Sequence, residues 1–378
     1  SYQLDLTQKR KWFDQAKIIL GYQFIEESRH TRSFNNSFLK NRNEQLNIYT
    51  LNADFEKKKL KNTLRYGFDF WHNKVRSTAH QQNIITLDQI PLDTRYPDGG
   101  STMGSCAFYF THSYKLNDQW ILSEGLRINY IELQAHFDDK TFFPFDFDQV
   151  TQSHIALNGN LSLVYNSKNN WRVMLAGSSG FRGPNIDDLS KVFDSSPGNV
   201  VVPNPELAPE YTYNLELGIS KRWLGKIHLG LNTYYTWYQN AITMQKVTAE
   251  DNQISSPLTD SDESLVLYDE ILSEAYHNAN AKKAFIYGFS GLLNVDLTHQ
   301  LKFSHSMTYT YGRIVNDPGR SPLDHISPLF GRSSIDLQIK KFTGSFFMVF
   351  NGDKKSKDLA PIYSQISSLV LLAASNSF

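Results

Sequence analysis

Apolar and polar residues alternate one for one along segments far longer than an ordinary strand. Tyr211, Tyr213, Leu215, Leu217 and Ile219 alternate with Thr212, Asn214, Glu216, Gly218 and Ser220. Ile155, Leu157, Leu161 and Leu163 hold one parity; His154, Asn158, Asn160 and Ser162 hold the other. Phe303, His305, Met307, Tyr309 and Tyr311 repeat the pattern against Ser304, Ser306, Thr308 and Thr310. Period two is the strand signature. No comparable stretch shows a 3.6-residue period, so the chain reads as all-β. Segments 120–134, 226–239 and 285–297 all run past ten residues, whereas globular strands centre on about 5–6 and membrane strands need about 9–11. A soluble sandwich also alternates, but its strands are rarely this long.

Fourteen strands are predicted: 1–8, 10–26, 43–56, 60–74, 101–115, 118–134, 152–166, 170–179, 211–223, 226–239, 284–297, 301–311, 333–340 and 342–350. The connections alternate in length. Short ones fall at 9, 57–59, 117, 167–169, 224–225, 298–300 and 341; long ones at 27–42, 75–100, 135–151, 180–210, 240–283 and 312–332. Outer-membrane barrels pair short periplasmic turns with long extracellular loops, and a sandwich has no reason to sort loops by parity. Trp12, Trp71, Trp120, Trp171, Trp223 and Trp237 sit near segment ends, as rings at the two membrane interfaces would. The inward parity is polar, with Arg127, Asn129, Asn158, Asn160, Asn214, Glu216, Arg222 and Asn232. That implies a wide, wet or plugged lumen.

Composition closes other routes. Lys+Arg and Asp+Glu are both 38, against the basic surface that nucleic-acid binding leaves. The longest strongly apolar run, 369–374, has six residues, and a transmembrane helix needs about 20. One cysteine, Cys106, excludes an internal disulfide framework and a multi-cysteine metal site. No G-x-S-x-G, HExxH, P-loop or dinucleotide fingerprint is present, so neither an enzyme nor a bound cofactor is expected.

Connection 180–210 carries three boxes in order. Phe181-Arg182-Gly183-Pro184-Asn185 is followed by Asn204-Pro205-Glu206-Leu207-Ala208-Pro209-Glu210, then by Asn214-Leu215-Glu216-Leu217-Gly218. Together they resemble the "FRAP", "NPxLxPE" and "N-x-E-x-G" boxes of TonB-dependent outer-membrane receptors. Arg95-Tyr96-Pro97-Asp98-Gly99-Gly100 and Pro322-Leu323-Asp324-His325-Ile326 also look like that family. The resemblance covers roughly 10–350. It implies a 22-stranded barrel around an N-terminal plug, in the outer membrane of a Gram-negative bacterium. It also implies uptake of a scarce nutrient, energised by the TonB complex through the plug. On that plan residues 1–351 are a partial barrel of about fourteen strands without the plug, and 352–378 form an atypical or truncated tail.

The implied partners are outer-membrane lipid and a small-molecule metal chelate, most simply a ferric siderophore. Such a ligand needs forked cationic donors and aromatic faces. The loop candidates are Arg95, Tyr96, Phe181, Arg182, Arg313 and Arg320. The box residues Phe181, Arg182, Pro184, Asn204, Pro205, Glu206, Leu207, Pro209 and Glu210 are expected to pin the loop, with Arg182 paired to a lumen carboxylate. A haem receptor is disfavoured, because 185–203 contains no histidine; His136, His277 and His325 read as ordinary loop residues. The acidic residues of 240–283 read as a solvated loop rather than a calcium site. The alternative to a receptor is a passive fourteen-stranded channel.

Overall fold

The computed structural model describes residues 1–354, apart from 140, 142–146, 191–192, 197–198, 248–264, 269–270, 317–318, 324–325 and 328. The predicted tail beyond 354, the acidic residues of 248–264 and 269–270, and His325 lie outside the described residues. In chain order the strands are β1 (Tyr2–Leu6), β2 (Gln15–Thr31), β3 (Phe38–Lys59), β4 (Asn62–Asn83), β5 (Gln89–Pro91), β6 (Ser101–Lys115), β7 (Trp120–His136), β8 (Gln149–Asn166), β9 (Trp171–Arg182) and β10 (Phe193–Ser196). They continue as β11 (Asn199–Val201), β12 (Glu210–Trp223), β13 (Ile227–Lys246), β14 (Leu265–Tyr268), β15 (Ile271–Asp296), β16 (Leu301–Asn316), β17 (Gly319–Pro322), β18 (Phe330–Ile339) and β19 (Phe342–Asn351). Among the described residues there is one helix, α1 (Ile186–Ser190), between β9 and β10.

Fourteen of these strands form the wall, one for each predicted strand. The other five (β5, β10, β11, β14 and β17) are short ladders inside the long connections. Each wall strand pairs antiparallel with the next, from Tyr2↔Leu20 to Ile339↔Phe342. The exception to antiparallel pairing is β11, which runs parallel to β15 with Val200 opposite Ala275.

This single curved layer exposes both faces. Its accessible surface is 24177 Å², against about 15,000 Å² for a compact globule of this mass. The outward face is apolar: Leu126 is 59% and Leu157 66% exposed, which only lipid makes favourable. The inward face carries a polar ladder at mid-height. The Tyr109 hydroxyl donates to Asp54, and Arg127 reaches Asp69 at 3.4 Å and Asn129 at 2.6 Å. Asn129 donates onward to Asn158 at 2.9 Å. Gly67 makes room for the Tyr109 ring; a Cβ there would lie 2.6 Å from ring carbon Cε1.

The turns follow strand twist. Leu224 and Gly225 both have positive φ (50° and 70°), and Lys226 N–H bonds the Trp223 carbonyl at 2.9 Å. This is the type I′ geometry that matches right-handed strands.

Three expectations on connection length need correction. The ladder between β2 and β3 continues to Thr31↔Lys40, so the predicted loop 27–42 shrinks to 32–37. The predicted one-residue turn at Lys9 is instead 7–14, longer than that loop. Likewise β13 and β15 climb to Lys246↔Tyr276, well into the predicted loop 240–283. The two shortened loops share one reason: backbone pairing does not stop at the membrane, whereas the apolar alternation does.

Candidate functional site

The long connection after β9 folds back over the inward face near the extracellular rim. Helix α1 opens with a reciprocal cap. Asp188 N–H donates to Asn185 Oδ1 at 2.9 Å, and Asn185 N–H donates to Asp188 Oδ2 at 3.0 Å, the capping-box exchange. The helix turns Ile186 and Leu189 inward, where Leu133, Ala135, Val150, Leu207 and Ala275 enclose them. Leu189 is completely buried and Leu207 2% exposed.

Neutral polar side chains tie the second box to the wall. Gln152 Nε2 donates to the Pro205 and Leu207 carbonyls at 2.7 and 3.1 Å. Asn204 Nδ2 donates to the Asn278 carbonyl at 2.8 Å, and its Oδ1 accepts from Glu206 N–H at 3.1 Å. Asn280 brackets Ala208, accepting from its N–H at 2.7 Å and donating to its carbonyl at 2.9 Å. Pro184 of the first box is fully buried.

Arg182 is held between two carboxylates. Its Nη1 lies 2.6 Å from Asp188 Oδ2, and its Nε donates to Glu210 Oε2. Glu210 Oε1 accepts from Ile242 N–H at 2.6 Å. The two acids raise the Arg182 guanidinium above its ordinary value, although burial opposes them as the largest single influence. One ionic knot thus fastens β9, α1, β12 and β13.

Arg95 and Tyr96 come down from connection 84–100 onto the same inward face. The Arg95 guanidinium lies 5.3 Å from the Tyr96 ring centroid, and the Asp187 carboxylate of α1 stands close enough to Tyr96 for its charge to act on the phenol. Burial first, and the Asp187 charge second, push the Tyr96 phenol up. The two connections therefore meet at Tyr96 and Asp187. The Arg95 Nε is buried without a hydrogen-bond partner among the described residues, and its Nη1 stands 3.9 Å from Glu27. Neighbouring Arg42 is already committed, clamping Asp93 at 2.8 and 2.9 Å.

Beside Arg95 lies Glu44, 6% exposed. Neither of its carboxylate oxygens has a partner among the described residues. Burial raises its pKa, with Arg95, Arg29 and Arg42 pulling the other way. A raised folded-state pKa means that the native state holds the proton more tightly than the unfolded chain. Stability then falls as pH climbs from the unfolded value through the folded one. Glu44→Gln should remove that fall. Thermal midpoints of wild type and variant should converge at acidic pH, with the variant melting higher at neutral pH. Parallel pH curves would contradict it.

The six ligand candidates divide between the two faces. Arg95, Tyr96 and Arg182 face inward. Phe181, one residue before Arg182 on the same strand, must face outward, and it packs on Tyr211 at 5.3 Å. Arg313 lies opposite Phe285 and Arg320 opposite Val315, both on the outward row. Glu44, Gln152, Asn278 and Asn280 are inward strand residues that sequence reading did not single out. Strand parity was the available signal for them. His277 is buried, and His136 belongs to β7.

The family model described as "TonB dependent receptor-like, beta-barrel" matches residues 1–374. The iron-regulated outer membrane virulence protein of Vibrio cholerae serotype O1 is 24% identical over 202 residues, which is 52% of this chain and 26% of that protein. Among solved structures, the copper transporter OprC superposes with TM-score 0.70 at 13% identity, over 93% of this chain and 51% of its own. A ferric enterobactin receptor from Pseudomonas aeruginosa gives 0.63 at 16%, over 91% and 47%. A Serratia marcescens hemophore receptor gives 0.67 at 11%, over 93% and 57%. The chain thus spans about half the length of these solved receptors, and the likeness to them is one of fold. With nearly its whole length matched, the chain belongs to the TonB-dependent receptor β-barrel family of the outer membrane of Gram-negative bacteria.

Proposed function

We propose that this chain supplies the ligand-facing wall of a receptor for a ferric siderophore or another anionic metal chelate, with uptake energised by the TonB complex. Arg95 carries the reading. It is an inward arginine at the extracellular rim, stacked on an aromatic ring, with a donor left unpaired. A guanidinium with one donor unpaired beside an aromatic face suits an anionic oxygen and the organic shell around it. Arg182 is spent on Asp188 and Glu210 and serves the loop instead. A curated relative named as iron-regulated and a superposing ferric enterobactin receptor support an iron chelate.

The test uses the full-length receptor with a panel of radiolabelled ferric siderophores, catecholate and hydroxamate. Arg95→Gln removes one charged hydrogen bond, worth about 1.5–3 kcal/mol. Affinity for the true ligand should fall at least about tenfold. Deleting TonB should abolish uptake and leave binding intact. Haem or free copper binding while every ferric chelate fails would overturn the substrate class.

A further inference from the structure

The periplasmic end of the wall carries a charge that the chain as a whole does not. Seven turns join the wall strands there, at 7–14, 60–61, 116–119, 167–170, 224–226, 297–300 and 340–341. Taken with three strand residues on either side, they hold 17 Lys and Arg against 4 Asp and Glu, a net of +13. The whole chain is neutral, with 38 of each sign, so the rest of it sums to −13. Wall strands about 4.8 Å apart and tilted near 40° spread the rim charge along an arc of about 80 Å.

The four acids of this rim are already engaged. Asp14 accepts from Lys57 Nζ and from Lys58 N–H, both at 2.8 Å. Asp118 pairs with Lys115 at 3.1 Å, Asp296 stands opposite Lys302 in the ladder, and Asp5 accepts from Gln3 Nε2 at 2.6 Å. Lys9, Arg10, Lys11, Lys59, Lys168 and Lys226 are exposed and join no ion pair among the described residues. The β1–β2 connection is held in place rather than loose. Lys57 Nζ donates to the Arg10 carbonyl at 2.6 Å, the Tyr66 hydroxyl to the Trp12 carbonyl at 2.7 Å, and Asp14 N–H to the Glu56 carbonyl at 2.8 Å. The Trp12 side chain stays 71% exposed, with the Lys11 ammonium 5.4 Å from its ring centroid.

We infer that this rim is a docking surface for peptidoglycan, engaged through the carboxylates of its peptide stems. Charge complementarity asks for a polyanion, and the breadth of the rim asks for an extended one that presents carboxylates repeatedly, so that weak contacts add. Membrane phosphates are poorly placed to serve. Of the nine cations on strands, only Lys57, Lys59 and Lys221 have the outward parity, and Lys57 is spent on Asp14. The other six strand cations face the lumen side, and eight lie in the turns themselves. The exposed indole of Trp12 offers a flat apolar face to a sugar ring beside those cations. This surface is independent of the ligand that the extracellular side takes.

The experiment mixes the full-length receptor in detergent with purified peptidoglycan sacculi and measures the fraction that sediments with them. Native sacculi should carry down at least about fivefold more receptor than sacculi whose stem carboxylates have been amidated. Lys9→Gln, Arg10→Gln, Lys11→Gln, Lys168→Gln and Lys226→Gln together should cut sedimentation at least about fivefold. Arg32→Gln, at the extracellular tip 32–37, should leave it unchanged. Should the combined variant not assemble, Lys168→Gln with Lys226→Gln, both at exposed turn residues, should cut sedimentation at least about twofold. Equal sedimentation with native and amidated sacculi overturns the surface, as does an unchanged fraction in the paired variant. Binding to phosphatidylglycerol vesicles with none to sacculi also overturns it, and would assign the rim to the inner leaflet instead.

Discussion

Leu189→Ala should free the 183–209 connection while leaving the barrel wall intact. Leu189 is wholly enclosed by residues of β7, β8 and β15 and by Leu207 of the second box. Its own carbonyl accepts from Asn204 N–H at 3.1 Å, so the residue joins the helix to the box twice. Truncating a buried leucine costs about 2–5 kcal/mol. With about 3 kcal/mol lost, amide exchange across 183–209 should quicken about a hundredfold. Exchange in the β9–β12 ladder, which runs from Glu210↔Arg182 to Lys221↔Trp171, should stay slow. Equal acceleration in both would mean that the loop and the wall open as one unit.

Arg182→Gln should have the second large effect, through what it leaves behind. Asp188 and Glu210 are only 14% and 12% exposed, and both face the lost guanidinium. Breaking a buried pair by deleting one partner costs about 3–5 kcal/mol. Arg182 itself is 44% exposed, so solvent screening brings the figure to about 2 kcal/mol. Pairing Arg182→Gln with Glu210→Gln should recover part of the loss, because the second change removes a stranded charge. Midpoints of thermal unfolding for the four members of that cycle give the coupling. Strict additivity would show that the pair contributes nothing to the connection.

The wall was legible in the sequence because lipid on one side and a wet lumen on the other force strict alternation. β7, β8, β12 and β13 show it plainly, whereas β19 runs Phe346, Phe347, Met348 and Val349 without it. The strand ends were illegible for the complementary reason. Around Asn278, Asn280 and Ala281 the face toward the lumen is packed by the box loop rather than by water, so small and polar residues replace the regular pattern. The site was half legible. Arg182 needed a carboxylate, but whether Asp188 or Glu210 supplied it depended on how the connection folds, and both do. The opposition of Phe181 and Arg182 followed from period two alone. Glu44 left no mark, since a glutamate among Asn41, Arg42, Asn43 and Gln45 looks solvated; it is buried only because connection 84–100 descends over it.

The strict two-faced wall also governs how such a chain can change in length. One added or deleted residue inside a strand such as β7 would exchange its faces from that point on, turning Arg127 and Asn129 toward lipid and Leu126 and Ile128 toward the lumen. The hairpin tip at 32–37 carries no such phase. Length variation among descendants of this sequence is therefore channelled to the loop tips, where new surface can arise without disturbing the wall.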